Sequence, residues 1–134
     1  MSTLIKLLFE PQALLVWNLS HDHGRLTVEG EIEGRPAHVI VPPAELSSLL
    51  YSPDRPRVVP AWEALIARAK LLNIEVRLLD PAGEPHWFHI VGRVWQSAPQ
   101  AAAGPFVGGT ARSINLQKQH EQQAQLPPSL TRVP

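Results

Sequence analysis

Five histidines form the only set in this chain with metal-ligand character: His21, His23, His38, His86 and His89. His21 and His23 flank Asp22 in one polar turn, and two imidazoles at that spacing could share an ion. A third ligand would have to come from His86 or His89. Those two are three residues apart, so on a strand they point to opposite faces. No carboxylate stands where it would orient a ligating ring. The set therefore reads as solvated turn and strand positions, and no metal is expected.

Glu29, Glu31 and Glu33 lie on one face of a predicted strand, with neighbours about 6–7 Å apart. Paired carboxylates at such a distance can divide acid and base work. That division requires burial or a shared proton, and strict alternation predicts exposure instead. Ser20, His21, Asp22 and His23 supply the residue types of a nucleophilic triad. Neighbours in one turn cannot build the nucleophile–base–orienter chain. Gly108-Gly109-Thr110 lacks the Lys, the preceding strand and the following helix of a phosphate loop. The absence of Cys removes disulfides, thiolate zinc sites and thiol nucleophiles. The chain is expected to be no enzyme, with no catalytic residue and no cofactor.

The aromatics carry more. Trp17, Trp62, Trp87, Phe88 and Trp95 stand among few other rings. On the predicted strand His86–Trp95, alternation places Trp87, His89, Val91, Arg93 and Trp95 on one face. His86, Phe88, Ile90, Gly92 and Val94 take the other. If the second face is core, the first offers two Trp and an Arg, the types enriched at binding hot spots. The same side chains could stack nucleic-acid bases. The competing reading is that helices cover this face as well.

The elements that would position these residues follow from periodicity. Residues 3–9 are apolar but too short to assign to strand or helix. Ala13–Leu19 reads as a buried strand. Leu26, Val28, Gly30 and Ile32 alternate with charged and polar residues, which makes a half-buried strand. Glu33-Gly34 is a tight turn into a second strand carrying Ala37, Val39 and Val41. Pro43–Leu50 predicts a short helix, and Tyr51–Val59, with two prolines, a loop. A longer helix is expected to open at Pro60, bury Trp62, Leu65, Ile66 and Ala69, and close at Asn73. Ile74–Leu79 and His86–Trp95 form a second hairpin, and Gly92 is a possible bulge site. Hairpins with grouped helices predict an α+β fold: an antiparallel sheet with two helices packed on one face, followed by an extended tail.

The apolar pattern stops near Ser97. Residues 98–134 are rich in Ala, Pro, Gly and Gln, with isolated anchors at Phe106, Val107, Ile114, Leu116, Leu126, Leu130 and Val133. Such a segment cannot bury enough surface alone to offset its ordering entropy. Residues 1–97 are thus expected to fold without it, and the tail to bind a partner. The formal net charge is zero, with 12 basic and 12 acidic residues. No basic excess marks a nucleic-acid surface, so that partner is not favoured. No apolar run approaches the roughly 18 residues of a membrane span, and the N-terminus is too short for a signal peptide. A cytoplasmic, soluble protein is expected.

Together these features predict an interaction protein or accessory subunit of a larger protein assembly. Its predicted partner-binding residues are Trp87, Arg93, Trp95, Phe106, Ile114, Leu116, Leu126 and Leu130. Base stacking by the exposed Trp and Arg, and a small metal enzyme built on the His set, are the alternatives.

Overall fold

Leu15, Trp17 and Leu19 are buried while Val16 between them is exposed, and this period of two sets the architecture. The computed structural model describes residues 3–9, 14–20, 24–95, 106–115, 118 and 121. Its elements are α1 (Thr3–Phe9), β1 (Leu15–Leu19), β2 (Leu26–Ile32), β3 (Arg35–Val41), α2 (Pro43–Ser47), α3 (Arg55–Arg68), β4 (Leu72–Leu79), β5 (Pro85–Trp95) and β6 (Phe106–Ser113). A single 3-10 turn, Ser52–Asp54, leads into α3. The fold is α+β: one six-stranded sheet in the order β3-β2-β1-β6-β5-β4, every pairing antiparallel.

The inner face gathers Leu15, Trp17, Leu26, Val28, Leu72, Val76, Phe88 and Val107 into one core with the helices. Leu4, Leu7 and Leu8 of α1 join it, at the i, i+3, i+4 spacing that puts them on one helix face. Leu65 of α3 is fully buried there, and Val58, Ala61, Trp62 and Ile66 pack around it. Helices α1 and α3 thus share the inner face.

The β2–β3 hairpin has the predicted register, with Ile32 opposite Arg35 across the turn. Both turn residues take positive φ, 53° at Glu33 and 77° at Gly34. That is the two-residue turn whose twist suits flanking strands. Pro36 lies on β3, an edge strand, where a missing N–H is tolerated.

The predicted tail is corrected at its centre. Residues 106–113 form β6, which lies between β1 and β5 and pairs with both. The boundary at Ser97 therefore divides the sheet. The reason is a row of side chains across three strands: Trp17 on β1, Gly109 on β6 and Gly92 on β5. The Trp17 ring lies over Gly92 and donates its indole N–H to the Thr110 carbonyl at 3.2 Å, while Gly109 lets the β5 backbone at Val91 and Gly92 come close. Gly92, which reads as punctuation, is the seat for a neighbour's ring. Gly92 keeps the ladder in register rather than bulging it. A Cβ at Gly92 would sit 2.6 Å from Trp17 Cη2. Gly92→Ala should therefore cost about 1–3 kcal/mol as overpacking, read from chemical denaturation. A loss below ~0.5 kcal/mol, the surface-substitution range, would mean that the ring steps aside freely.

The helix α3 also differs from expectation. It begins at Arg55, with Pro56 in its first turn and Pro60 inside it. Proline is well placed in a first turn, and an interior one removes a single backbone bond while the apolar face still packs. The helix ends at Ala69, left-handed at φ 53° and ψ 29°, with Ala69 N–H bonded to Leu65 O and Lys70 N–H to Ala64 O. Asn73, predicted as the terminus, is an exposed residue of β4.

Candidate functional site

Strand alternation on β5 holds along its length. Phe88 and Gly92 are buried on the inner face, and Arg93 and Trp95 are exposed on the outer one. The predicted docking residues nevertheless divide into two groups. Trp87 and Trp95 are eight residues apart, about 26 Å along a strand.

Trp95 and Phe106 face each other across the β5–β6 pair. Their rings stack with centroids 6.5 Å apart and planes 16° from parallel. The Arg93 guanidinium lies 3.9 Å from the centre of the Trp95 ring, a cation–π contact. The Trp95 indole N–H donates to Gly108 O at 3.1 Å, which holds the ring in place. Trp95 is 39% exposed and Phe106 40%. The outer face also exposes Val16 on β1 and Ile40 on β3. Helices α1 and α3 pack on the inner side of the sheet.

Trp87 belongs to a different cluster. The Arg77 guanidinium lies between two rings, 4.4 Å from the Tyr51 centroid and 4.6 Å from that of Trp87. Lys118 Nζ is 4.8 Å from the Trp87 ring and pairs with Glu75 and Glu121. The hydrogen bond to Glu75 holds the Lys118 ammonium above its usual range, against the opposing effect of burial. Behind Arg77 sits Asp54, the buried charged residue of the core, 2% exposed. Its Oδ2 accepts from the Arg77 backbone N–H at 2.9 Å and from Nε at 3.1 Å. Its Oδ1 accepts from Arg77 Nη2 at 2.6 Å. Burial alone would raise this carboxyl, but the Arg77 hydrogen bonds and the charges of Arg77 and Arg57 outweigh it and hold it below the ordinary value. The cluster ties the start of α3 to β4, a structural task more than a docking one.

Ile114 is corrected. It is 5% exposed, within the core, and its N–H donates to Trp87 O at 2.9 Å. It cannot serve as a free anchor for a partner. Leu116, Leu126 and Leu130 lie outside the described residues, as do His21, Asp22 and His23. Of the remaining histidines, His86 bonds Asp80 at 2.8 Å and His89 bonds Asn73 at 2.6 Å, on opposite faces of β5. The His86 bond and two backbone N–H groups hold the Asp80 carboxyl below its ordinary range. No three His, Asp or Glu side chains among the described residues converge as a metal site would require. Glu29 and Glu31 are exposed on β2 and Glu33 in the turn, as alternation predicts.

The sequence reading missed a cavity. Between the inner sheet face and helices α2 and α3 lies an apolar space of about 320 Å³. Trp17, Val76, Phe88 and Ile90 line it from the sheet, and Val58 and Trp62 from α3. The Trp17 and Trp62 rings meet there at 5.7 Å. The apolar residues themselves gave no signal, because core and cavity lining have the same composition.

This architecture has solved counterparts. A sensory box histidine kinase/response regulator from Burkholderia thailandensis matches with a TM-score of 0.59 at 16% identity, over 84% of this chain and 85% of that one. The domain from Haloarcula marismortui, described as belonging to a light and redox sensing histidine kinase, matches with a TM-score of 0.52 at 17% identity, over 84% and 99%. An RNA-binding light-oxygen-voltage receptor matches with a TM-score of 0.53 at 14% identity, over 90% of this chain but 36% of its own. At such identities the likeness is one of fold. No family model and no curated protein matches the sequence. Among the described residues no helix is long and apolar enough to cross a membrane.

Proposed function

We propose that this chain is a non-enzymatic interaction module with a sensor-type fold, docking onto a larger protein assembly in the cytoplasm. The observation that carries this reading is the outer-face patch of Arg93, Trp95 and Phe106. Two rings that could have packed inward are stacked on each other and half open to solvent. The guanidinium over Trp95 is held in place yet stays on an exposed side chain, so its N–H groups can meet a partner carboxylate. A partner with an apolar surface beside an acidic group fits this patch. The solved neighbours support the reading at the level of class, since two of them are named as sensory or sensing histidine kinases.

The test pairs affinity with stability. The full-length chain should retain a defined protein partner that Arg93→Ala and Trp95→Ala lose by ~2 kcal/mol or more, the range of hot-spot residues. Both variants should melt close to wild type. If they melt far below it, the patch is structural. Tight, salt-sensitive binding of an oligonucleotide by the same residues would favour the nucleic-acid reading instead.

A further inference from the structure

We propose that the cavity between α2, α3 and the inner sheet face binds a small, uncharged, apolar molecule the size of two fused rings. This stands apart from the docking reading, since the cavity and the Trp95 patch lie on opposite faces of the sheet.

The size argument comes first. Protein interiors pack as densely as organic crystals and hold few voids larger than a water. A space of about 320 Å³ is far beyond a packing defect. An apolar cavity of roughly 150 Å³ already takes benzene. One about twice that size accommodates a fused two-ring compound and still falls in the lower range of natural ligand pockets.

The lining sets the chemistry. Apart from the two indoles, the side chains with polar groups around the cavity are Ser47 and Glu63, both at exposed positions. Ser47 Oγ already accepts from Arg55, and the Trp17 N–H is given to Thr110 O. No buried side-chain nitrogen or oxygen among the described residues lacks a hydrogen-bond partner. A polar ligand would lose its hydrogen bonds to water and find few here, from the Trp62 indole N–H and the groups at the exposed mouth. Water itself fits poorly, because a trapped water needs two to four polar partners.

Access is present. Ala44 and Ser47 of α2 and Val59 and Glu63 of α3 border the space and are exposed, so it opens to solvent between these helices. The short helix α2 buries none of its residues. Glu63 at this mouth adds a penalty for anions.

The probes are naphthalene and 1-naphthoate, the same rings without and with a carboxylate, titrated into the full-length chain. Naphthalene should raise the melting temperature saturably. It should also shift the NMR signals of the Val58, Val76 and Ile90 methyls and the Trp17 indole N–H. Naphthoate should bind at least ten-fold more weakly. Ala111→Leu fills the cavity from β6 and Val58→Phe fills it from α3. Each variant that folds should weaken naphthalene at least ten-fold without a loss of melting temperature. The proposal is overturned by no saturable response up to the solubility limit of naphthalene, or by shifts confined to the outer face. It is equally overturned by naphthoate binding as well as naphthalene, or by wild-type naphthalene affinity in a folded filling variant.

Discussion

A chain ended at Ser97 should show no cooperative unfolding transition. It keeps every residue that alternation assigned to a compact domain, but it loses β6, which lies in the middle of the sheet. β6 is paired along its whole length to β5, from Phe88↔Ser113 to Trp95↔Phe106, and to β1 from Leu15↔Ala111 to Leu19↔Val107. Its removal leaves a three-stranded and a two-stranded piece, each with an open central edge. Trp17 loses the Thr110 carbonyl that accepts its indole N–H. Val107 and Ile114 leave the core as well. Sheet fragments of two or three strands are marginal in water, so the whole native stability of about 5–15 kcal/mol is at stake. Thermal melts followed by near-UV circular dichroism decide the matter. A transition within a few degrees of the full-length chain would show that β6 is dispensable.

The missed strand explains what the sequence could and could not reveal. The β2–β3 hairpin was legible because its signal is local: Leu26, Val28, Gly30 and Ile32 alternate, and Glu33-Gly34 turns. β5 was legible for the same reason, down to which face holds Phe88 and which holds Trp95. β6 has no such signal. Its Gly108 and Gly109 weaken strand propensity, and what they gain is non-local, since Asn18 and the Trp17 carbonyl of β1 crowd Gly108 and the Val91 and Gly92 backbone of β5 crowds Gly109. A central strand buried on both sides by neighbours' side chains need not alternate at all. The start of α3 failed differently. Pro56 reads as part of a loop and Pro60 as the opening of the helix, yet Pro56 sits in the first turn and Pro60 costs a single bond within a helix anchored by Leu65.

The site was legible in part. Arg93 and Trp95 followed from the period of two, and Phe106 proved to be their partner through a pairing that no local pattern announces. Ile114 looked like an exposed anchor because its surroundings are polar; it is buried where its N–H meets Trp87 O of β5, a contact distant in the chain. The cavity was illegible in principle. Whether Val58, Trp62, Val76 and Phe88 close on one another or stand around an opening depends on how far the helices sit from the sheet, and composition does not encode that distance.

Asp54→Ala should be strongly destabilising. The carboxylate is buried and accepts three hydrogen bonds from Arg77, one of them from its backbone N–H. Truncation leaves that N–H and a guanidinium held between Tyr51 and Trp87 without their acceptor. Breaking one side of a buried ion pair costs about 3–5 kcal/mol, and the partial exposure of Arg77 places this case near the lower end. Asp54→Asn keeps the shape and one acceptor but removes the charge, so its loss should be smaller and should depend on pH. The folded carboxyl titrates below its ordinary value, so its charge stabilises the fold fully above the unfolded pKa of about 3.9. That contribution disappears as pH falls through the lower folded value. The stability gap between wild type and Asp54→Asn should therefore stay constant from pH 7 to about 5 and narrow below about 4. Urea denaturation of both chains across this range measures it. A gap that persists unchanged at pH 2, or an Asp54→Ala chain as stable as wild type at pH 7, would mean that the Asp54–Arg77 pair contributes nothing to holding α3 on the sheet.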